Sequence, residues 1–296
     1  MKKWLSIPVI LMVAGLLLLR PQEAAGAVRE GLALCGGTVI PSLFPFFAVI
    51  SLLLQLGLTE SLGGLFRPMM KPLFRMRGEC ALPLLAGLLG GYPSGARTAA
   101  GLYAQGRVSR QEAELLLGFC DNCGPAFLLS YVGAGILGDP AIGVRLYLIH
   151  VLSALLAGML LCRICGDRGL ALPGRPLPAE VVPFSQALTA SVADALTSTL
   201  NICAFVVFFR VLAALPPFPL PLPILGALEM VGGVAALSPG RAGCTAAAAI
   251  VGWGGLSVHC QAMSLTAPEG LSFRWHWIGK AAQAGISALL AWFLFS

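Results

Sequence analysis

The feature that most restricts this chain is a set of apolar runs too short to be whole membrane spans, each broken by glycine and proline. Residues 80–91 make an apolar stretch of about 12 residues that ends in Gly90-Gly91-Tyr92-Pro93-Ser94-Gly95, and a second short stretch runs on to Gln105. A helix needs ~20 residues to cross the hydrocarbon core. Two half-length helices around a Gly/Pro tip therefore predict a re-entrant hairpin. A second such break falls in 222–243, near Gly232-Gly233 and Ser238-Pro239-Gly240. Two further apolar segments are interrupted, 119–137 at Cys120-Asp121-Asn122-Cys123-Gly124-Pro125 and 244–266 at Gly252-Trp253-Gly254-Gly255.

Composition places these runs in a bilayer. The 296 residues are 57% hydrophobic and 11% charged, with a mean hydropathy of +0.86. Soluble domains carry about 25% charged residues and must cover themselves with polar surface. An ordinary soluble enzyme, a secreted disulfide scaffold and a disordered linker protein are excluded. The expected fold is an all-α polytopic membrane protein. The net charge of +6 lies in clusters between apolar runs, which points to topology rather than to nucleic acid. With the N-terminus in the cytoplasm, thirteen of the 19 basic residues fall on that face: Lys2, Lys3, Arg67, Lys71, Arg75, Arg77, Arg107, Arg110, Arg163, Arg168, Arg175, Arg274 and Lys280.

The segments divide the chain into five parts. Residues 1–36 hold an N-terminal transmembrane helix and an interfacial segment, and 37–165 hold a first repeat with the span that follows it. A cytoplasmic linker, 166–183, leads to a second repeat, 184–268, and to a C-terminal transmembrane helix, 269–296. Within this order, 62–78 mixes basic with apolar residues and predicts a helix lying in the interface. Ser109 with Glu112 predicts a capping box. Each repeat runs span, broken hairpin, interrupted span, with the hairpins entering from opposite faces. Inverted repeats with Gly/Pro-interrupted segments are the signature of secondary transporters, and unwound backbone at membrane depth is tolerated only where it is buried in protein or lines a watery cavity.

The stretches Gly90-Gly91-Tyr92-Pro93-Ser94-Gly95-Ala96-Arg97-Thr98 and Gly118-Phe119-Cys120-Asp121-Asn122-Cys123-Gly124-Pro125-Ala126-Phe127, with Gly254-Gly255-Leu256-Ser257-Val258-His259-Cys260-Gln261 later on, resemble the nucleoside-recognition (Gate) domain family. Within it they are most similar to the sporulation integral membrane proteins of the YlbJ type. The resemblance spans residues 37 to 268. It implies a fold related to concentrative nucleoside transporters and, for the sporulation subgroup, movement of dipicolinic acid across the outer forespore membrane. Around Glu229 the chain reads Glu-Met-Val-Gly-Gly, where the subgroup's Glu is followed by Thr.

The expected function is a permease for a small anionic or heterocyclic solute in a bacterial membrane, with a nucleoside or another small metabolite as the alternative cargo. A non-transporting scaffold in spore-envelope assembly is the rival reading. The expected partners are the bilayer, the solute, a second copy of the chain or spore-membrane proteins; no nucleic acid and no cofactor is expected. No GxSG, HExxH or P-loop motif occurs, so no enzyme chemistry is expected.

The candidate substrate contacts are Tyr92, Ser94, Arg97, Thr98, Asn122, Glu229, Ser257 and Gln261. Asp121, Glu229 and His259 are candidates for ion coupling or proton relay. Arg97 offers a two-pronged guanidinium for a carboxylate, or forms a salt bridge or snorkels. Asn122 contacts solute or caps a helix end. Asp121 serves an ion or proton, or answers Arg97. Tyr92 stacks on a ring or seals the hairpin tip. Ser257, His259 and Gln261 share one side if 254–261 is extended. Asp194, Thr197, Ser198 and Asn201 form a polar stripe that lines a pathway or a helix seam. The Cys120–Cys123 and Cys162–Cys165 pairs are expected to be small packing residues.

Overall fold

The computed structural model describes residues 3–56, 59–125, 127–165 and 183–295. The linker expected at 166–183 lies outside the described residues except for Pro183, as do Lys2, Arg168 and Arg175 of the basic clusters. Among the described residues every regular element is helical.

Helix α1 (Lys3–Leu19) meets α2 (Pro21–Leu34) at a bend of 99°. Pro21 has no N–H to offer the preceding turn, so it ends one helix and starts the next. The Arg20 guanidinium at the bend donates to the Leu215 carbonyl at 2.9 Å. It thereby satisfies a terminal carbonyl of α9 (Phe184–Ala214). A π-helical turn, Cys35–Val39, absorbs Gly36-Gly37 and joins α2 to α3 (Ile40–Gln55) with no non-helical residue between them. Residues 21–55 are thus continuously helical, across the segment boundary that the apolar pattern suggests at 37. Helix α4 (Thr59–Phe74) buries Met70 and Phe74 while Leu65 and Met69 stay exposed.

Two pairs of short helices form, the first around the break expected at 91–93. In the second the break falls at Glu229, while Gly232-Gly233 lie inside a helix, where Gly233 allows close approach to the Gly226 backbone. Helices α5 (Ala81–Gly90) and α6 (Ser94–Ala104) pack on each other, and so do α10 (Leu222–Leu228) and α11 (Met230–Ala235). Helix α7 (Arg110–Leu116) opens with the predicted capping box: the Ser109 hydroxyl accepts from the Glu112 N–H, and the Glu112 carboxylate accepts from the Ser109 N–H. The chain is then irregular through 120–125 before a π-helix, Phe127–Ile136. The long helix α8 (Pro140–Cys165) follows. Helices α12 (Arg241–Trp253) and α13 (Gly255–Thr266) are joined at Gly254, and α14 (Arg274–Leu294) closes the fold against α12 and α8.

Three helical runs among the described residues are long and apolar enough to cross a membrane: α8, α9 and 241–269. The bent α1–α2 pair makes a fourth if it counts as one span. Their outer faces are greasy in register. On α8, Val144, Leu148, Leu152, Leu156, Leu160 and Ile164 are exposed, and on α9 so are Leu188, Val192, Leu196 and Leu200. Such i, i+4 stripes suit contact with lipid, where no water penalises apolar exposure. One polar face of α14 turns inward instead. His276, Lys280, Gln283 and Ser287 of α14 are all fully buried, and the Ser287 hydroxyl donates to Ser153 of α8 at 2.7 Å.

Two ion pairs join the arginines around α7, Arg110 with Glu114 at 2.9 Å and Arg77 with Glu112. The Arg77 guanidinium pairs with Glu112 through Nε at 3.0 Å and through Nη2. Burial raises the pKa of the Glu112 carboxyl, but Arg77 and the Ser109 donors outweigh it and hold it below the usual carboxylate range. A depressed folded-state pKa contributes stability that is present above the unfolded value and lost as pH falls through the folded one. Acidification below about pH 4 should therefore lower the thermal midpoint of the wild type more than that of Glu112→Gln, as read by thermal unfolding in detergent across a pH series.

Candidate functional site

The four breaks meet. They lie at Gly91–Pro93 between α5 and α6, at 120–125 after α7, at Glu229 between α10 and α11, and at Gly254-Gly255 between α12 and α13. A Cβ built on Gly124 would stand 3.2 Å from the Gly91 backbone. One on Gly254 would stand 3.2 Å from the Tyr92 hydroxyl, and one on Gly255 would stand 2.9 Å from the Met230 nitrogen. Gly254 and Gly255 also have φ of 92° and 80°, a region where a side chain is strained. Glycine is needed there for conformation and for approach alike. The Tyr92 hydroxyl crosses this junction and donates to the Val251 carbonyl at 2.7 Å.

A cavity of about 90 Å³ lies at the junction, room for several waters. Apolar side chains form most of its wall, including Ile202 and Val206 of α9, and its polar side chains are Tyr92, Glu229, Ser257 and Gln261. Four of the residues singled out in the sequence thus share one cavity. The Glu229 carboxylate is buried and accepts from the Val231 N–H at 2.9 Å and the Gly232 N–H at 2.6 Å. It caps the half-helix α11, where an anion is favoured by the free N–H groups and the dipole. Arg210 of α9 lies 3.7 Å from Glu229 and 2.8 Å from Glu30.

The other candidates stand elsewhere. Arg97 pairs with Asp194 of α9 at 3.3 Å, and Asp194 also accepts from the Ser51 hydroxyl at 3.1 Å. Of the stripe around Asp194, Ser198 is buried, while Thr197 and Asn201 are exposed. Thr98 donates to the Ser94 carbonyl one turn back, and the Ser94 hydroxyl is buried with no hydrogen-bond partner among the described residues. Neither lines the cavity. Residues 255–266 are helical rather than extended, so Ser257 and Gln261 share a face by i, i+4 spacing and His259 points away from them. His259 stacks edge-on with Trp253, and its Nδ1 lies 2.7 Å from His276 Nε2. His276 Nδ1 lies 2.9 Å from the Leu117 carbonyl, which only accepts. With both rings neutral, His276 Nδ1 carries the proton and its Nε2 accepts from His259.

Asp121 does not answer Arg97. It is fully buried, with one carboxylate oxygen 3.5 Å from the Ala96 N–H in the first turn of α6 and the other unpartnered among the described residues. Lys280 acts on this carboxylate electrostatically but bonds the residue through its main-chain carbonyl. The charge pattern assigns Lys280 to the cytoplasmic face, but the side chain is fully buried at the seventh position of α14. There its ammonium finds three acceptors: the Tyr92 hydroxyl at 3.1 Å, the Asp121 main-chain carbonyl at 2.9 Å and Gln283 Oε1 at 2.7 Å. Gln283 in turn donates to Asn122 Oδ1 at 2.9 Å, while Asn122 Nδ2 donates to the Phe119 carbonyl. The Cys123 N–H donates to His150 Nε2 at 3.0 Å. Asn122 is thus held within the broken segment rather than facing the cavity. Gln283 and His150 are not among the sequence candidates, and Lys280 stands there only as a cytoplasmic-face charge. The readable signal was the spacing of His276, Lys280, Gln283 and Ser287 at i, i+4, i+7 and i+11, a single polar face on an otherwise apolar helix.

The cysteines are free, and Cys120, Cys123 and Cys162 are buried among packed side chains while Cys165 is partly exposed.

Residues 37–166 match the family model described as Gate, nucleoside recognition. The sporulation integral membrane protein YlbJ of Bacillus subtilis (strain 168) is 34% identical over 139 residues, which are 47% of this chain. The match covers only 34% of that relative's length. No solved structure matches the chain.

Proposed function

We propose that this chain, whose residues 37–166 match the Gate nucleoside-recognition model, is a membrane permease for a small planar solute. The convergence of four helix breaks on one cavity carries the reading. In the arrangement we propose, α5–α6 and α10–α11 are re-entrant hairpins, and the breaks at 120–125 and 254–255 interrupt two spans. The halves 37–165 and 184–268 form an inverted repeat, and the solute sits near the membrane midplane. Tyr92 offers a flat face, Gln261 and Ser257 offer donors and acceptors, and Glu229 presents a carboxylate already oriented by backbone N–H groups.

Two ion pairs suit alternating access. Asp194 and Arg210 lie 16 positions apart on α9, about 24 Å along a helix, and the cavity-lining Ile202 and Val206 fall between them. Asp194 holds α6 on one side of the cavity and Arg210 holds the start of α11 on the other. Opening one pair at a time would expose the cavity to one face of the membrane. Arg97, once released from Asp194, can hold a substrate carboxylate. The relative's sporulation setting favours dipicolinic acid as cargo, and a nucleoside is the alternative that the cavity's uncharged donors suit.

Uptake of labelled dipicolinate and of nucleosides into proteoliposomes tests this. The wild type should accumulate one of them, and Gln261→Ala or Glu229→Gln should reduce uptake by tenfold or more, the effect of about 1.4 kcal/mol of lost binding. Purified protein that neither binds nor moves either class removes the permease reading and leaves the scaffold reading in its place.

A further inference from the structure

The Lys280 ammonium sits in a cage built of oxygen. It has three N–H bonds and three acceptors, the Tyr92 hydroxyl, the Asp121 main-chain carbonyl and Gln283 Oε1, at 2.7–3.1 Å. They come from the tip between α5 and α6, the break after α7, and α14. Asp121, which supplies the main-chain carbonyl, also carries a buried carboxylate with one oxygen lacking a hydrogen-bond partner among the described residues. A carbonyl freed by an unwound helix and two further neutral oxygens are ligands of the kind that suit a hard cation. In secondary transporters, unwound carbonyls of this kind coordinate the coupling ion.

We propose that Lys280 is a tethered cation: its ammonium occupies the position of an alkali-metal ion at the 120–125 break and locks that break to the α5–α6 tip without any free ion. Two consequences follow. The native protein gains nothing from sodium or potassium, and removal of the side chain turns the cage into an alkali-ion site. The cage itself rests on the hydrogen bonds above. Only its meaning for transport, a cycle independent of alkali ions, rests on the permease reading.

The test is thermal unfolding of the full-length purified chain in sodium, potassium or choline chloride at equal ionic strength. The wild type should unfold at the same temperature in all three. Lys280→Ala should be weakened in choline and regain several degrees, saturably, with sodium or potassium, because an ion bound only by the folded state stabilises it. The double variant Lys280→Ala, Asp121→Asn should fold and lose that response, since the negative charge acting on the cage is gone. A wild type stabilised by an alkali ion overturns the inference. So does a Lys280→Ala chain that behaves alike in all three salts, including one that fails to fold in each. If the salt pattern holds but no solute moves, the permease reading falls and the cage stands.

Discussion

Replacing Gly95 by alanine is expected to remove most folded protein from the membrane. A Cβ on Gly95 would lie 2.0 Å from the Cys120 carbonyl oxygen and 2.5 Å from its carbon. The obstacle is backbone, so no rotamer change relieves it, and α6 must move away by about 1 Å or more in an interior packed like a crystal. The same Cys120 carbonyl lies 1.7 Å from a Cβ on Gly87 of α5. The two helices of the first pair thus grip the broken segment between glycines. Forcing α6 outward withdraws the Ala96 N–H from Asp121 and loosens the support of the Lys280 cage. Overpacking of a core costs about 1–3 kcal/mol and more where backbone meets backbone. Gly101→Ala is the control on the same helix, because nothing lies within 4 Å of a Cβ there. It should be neutral or stabilise by up to about 1 kcal/mol through helix propensity. Monodisperse yield in detergent and the thermal midpoint read both variants. A Gly95→Ala protein as stable as Gly101→Ala would mean that α6 does not press on the break as described.

What could be read from sequence here was whatever local chemistry dictates. Glycine and proline cannot hide, so the breaks at 91–93, 120–125 and 254–255 were visible, as was the capping box at Ser109. The continuity of 21–55 was not, because Gly36-Gly37 punctuates the sequence like a boundary while a π turn simply absorbs it. Ser257 and Gln261 fit a period of two and of four equally well, so only the helical backbone separated them from His259. Pairings that join distant segments were beyond reach. Nothing local marks Asp194 as the partner of Arg97, some hundred residues away. Lys280 was misplaced for a physical reason: it follows Arg274 by six residues, and a charge count treats both as one surface cluster. Four polar residues on one face of α14 were the better guide, since in a bilayer that face must turn inward.

Lys280→Met is expected to be the most damaging of the charge substitutions. Methionine has nearly the length of lysine, so little volume is lost and the effect isolates the ammonium. Three acceptors lose their donor, and the fully buried Asp121 carboxylate loses the positive charge that acts on it electrostatically. With hydrogen bonds to a charged group worth about 1.5–3 kcal/mol each, the loss is about 3–5 kcal/mol or more. At about 2.1 cal/mol/K per residue, a chain of 296 residues shifts by about 1.6 °C per kcal/mol, a fall of about 5–8 °C. Asp121→Asn should cost less, since Lys280 keeps its three oxygen acceptors. Combining the two should recover part of the Lys280→Met loss, giving a coupling energy of at least 1 kcal/mol in a double-mutant cycle. The Arg97–Asp194 pair is the contrast: the Asp194 side chain is 51% exposed, and an ion pair open to solvent is worth about 0–1 kcal/mol. Asp194→Asn should therefore leave the thermal midpoint nearly unchanged, whatever it does to transport. If Lys280→Met and Asp194→Asn shift the midpoint alike, the buried ammonium is not the fastener of the broken helices, and the polar face of α14 is a packing seam with no special member.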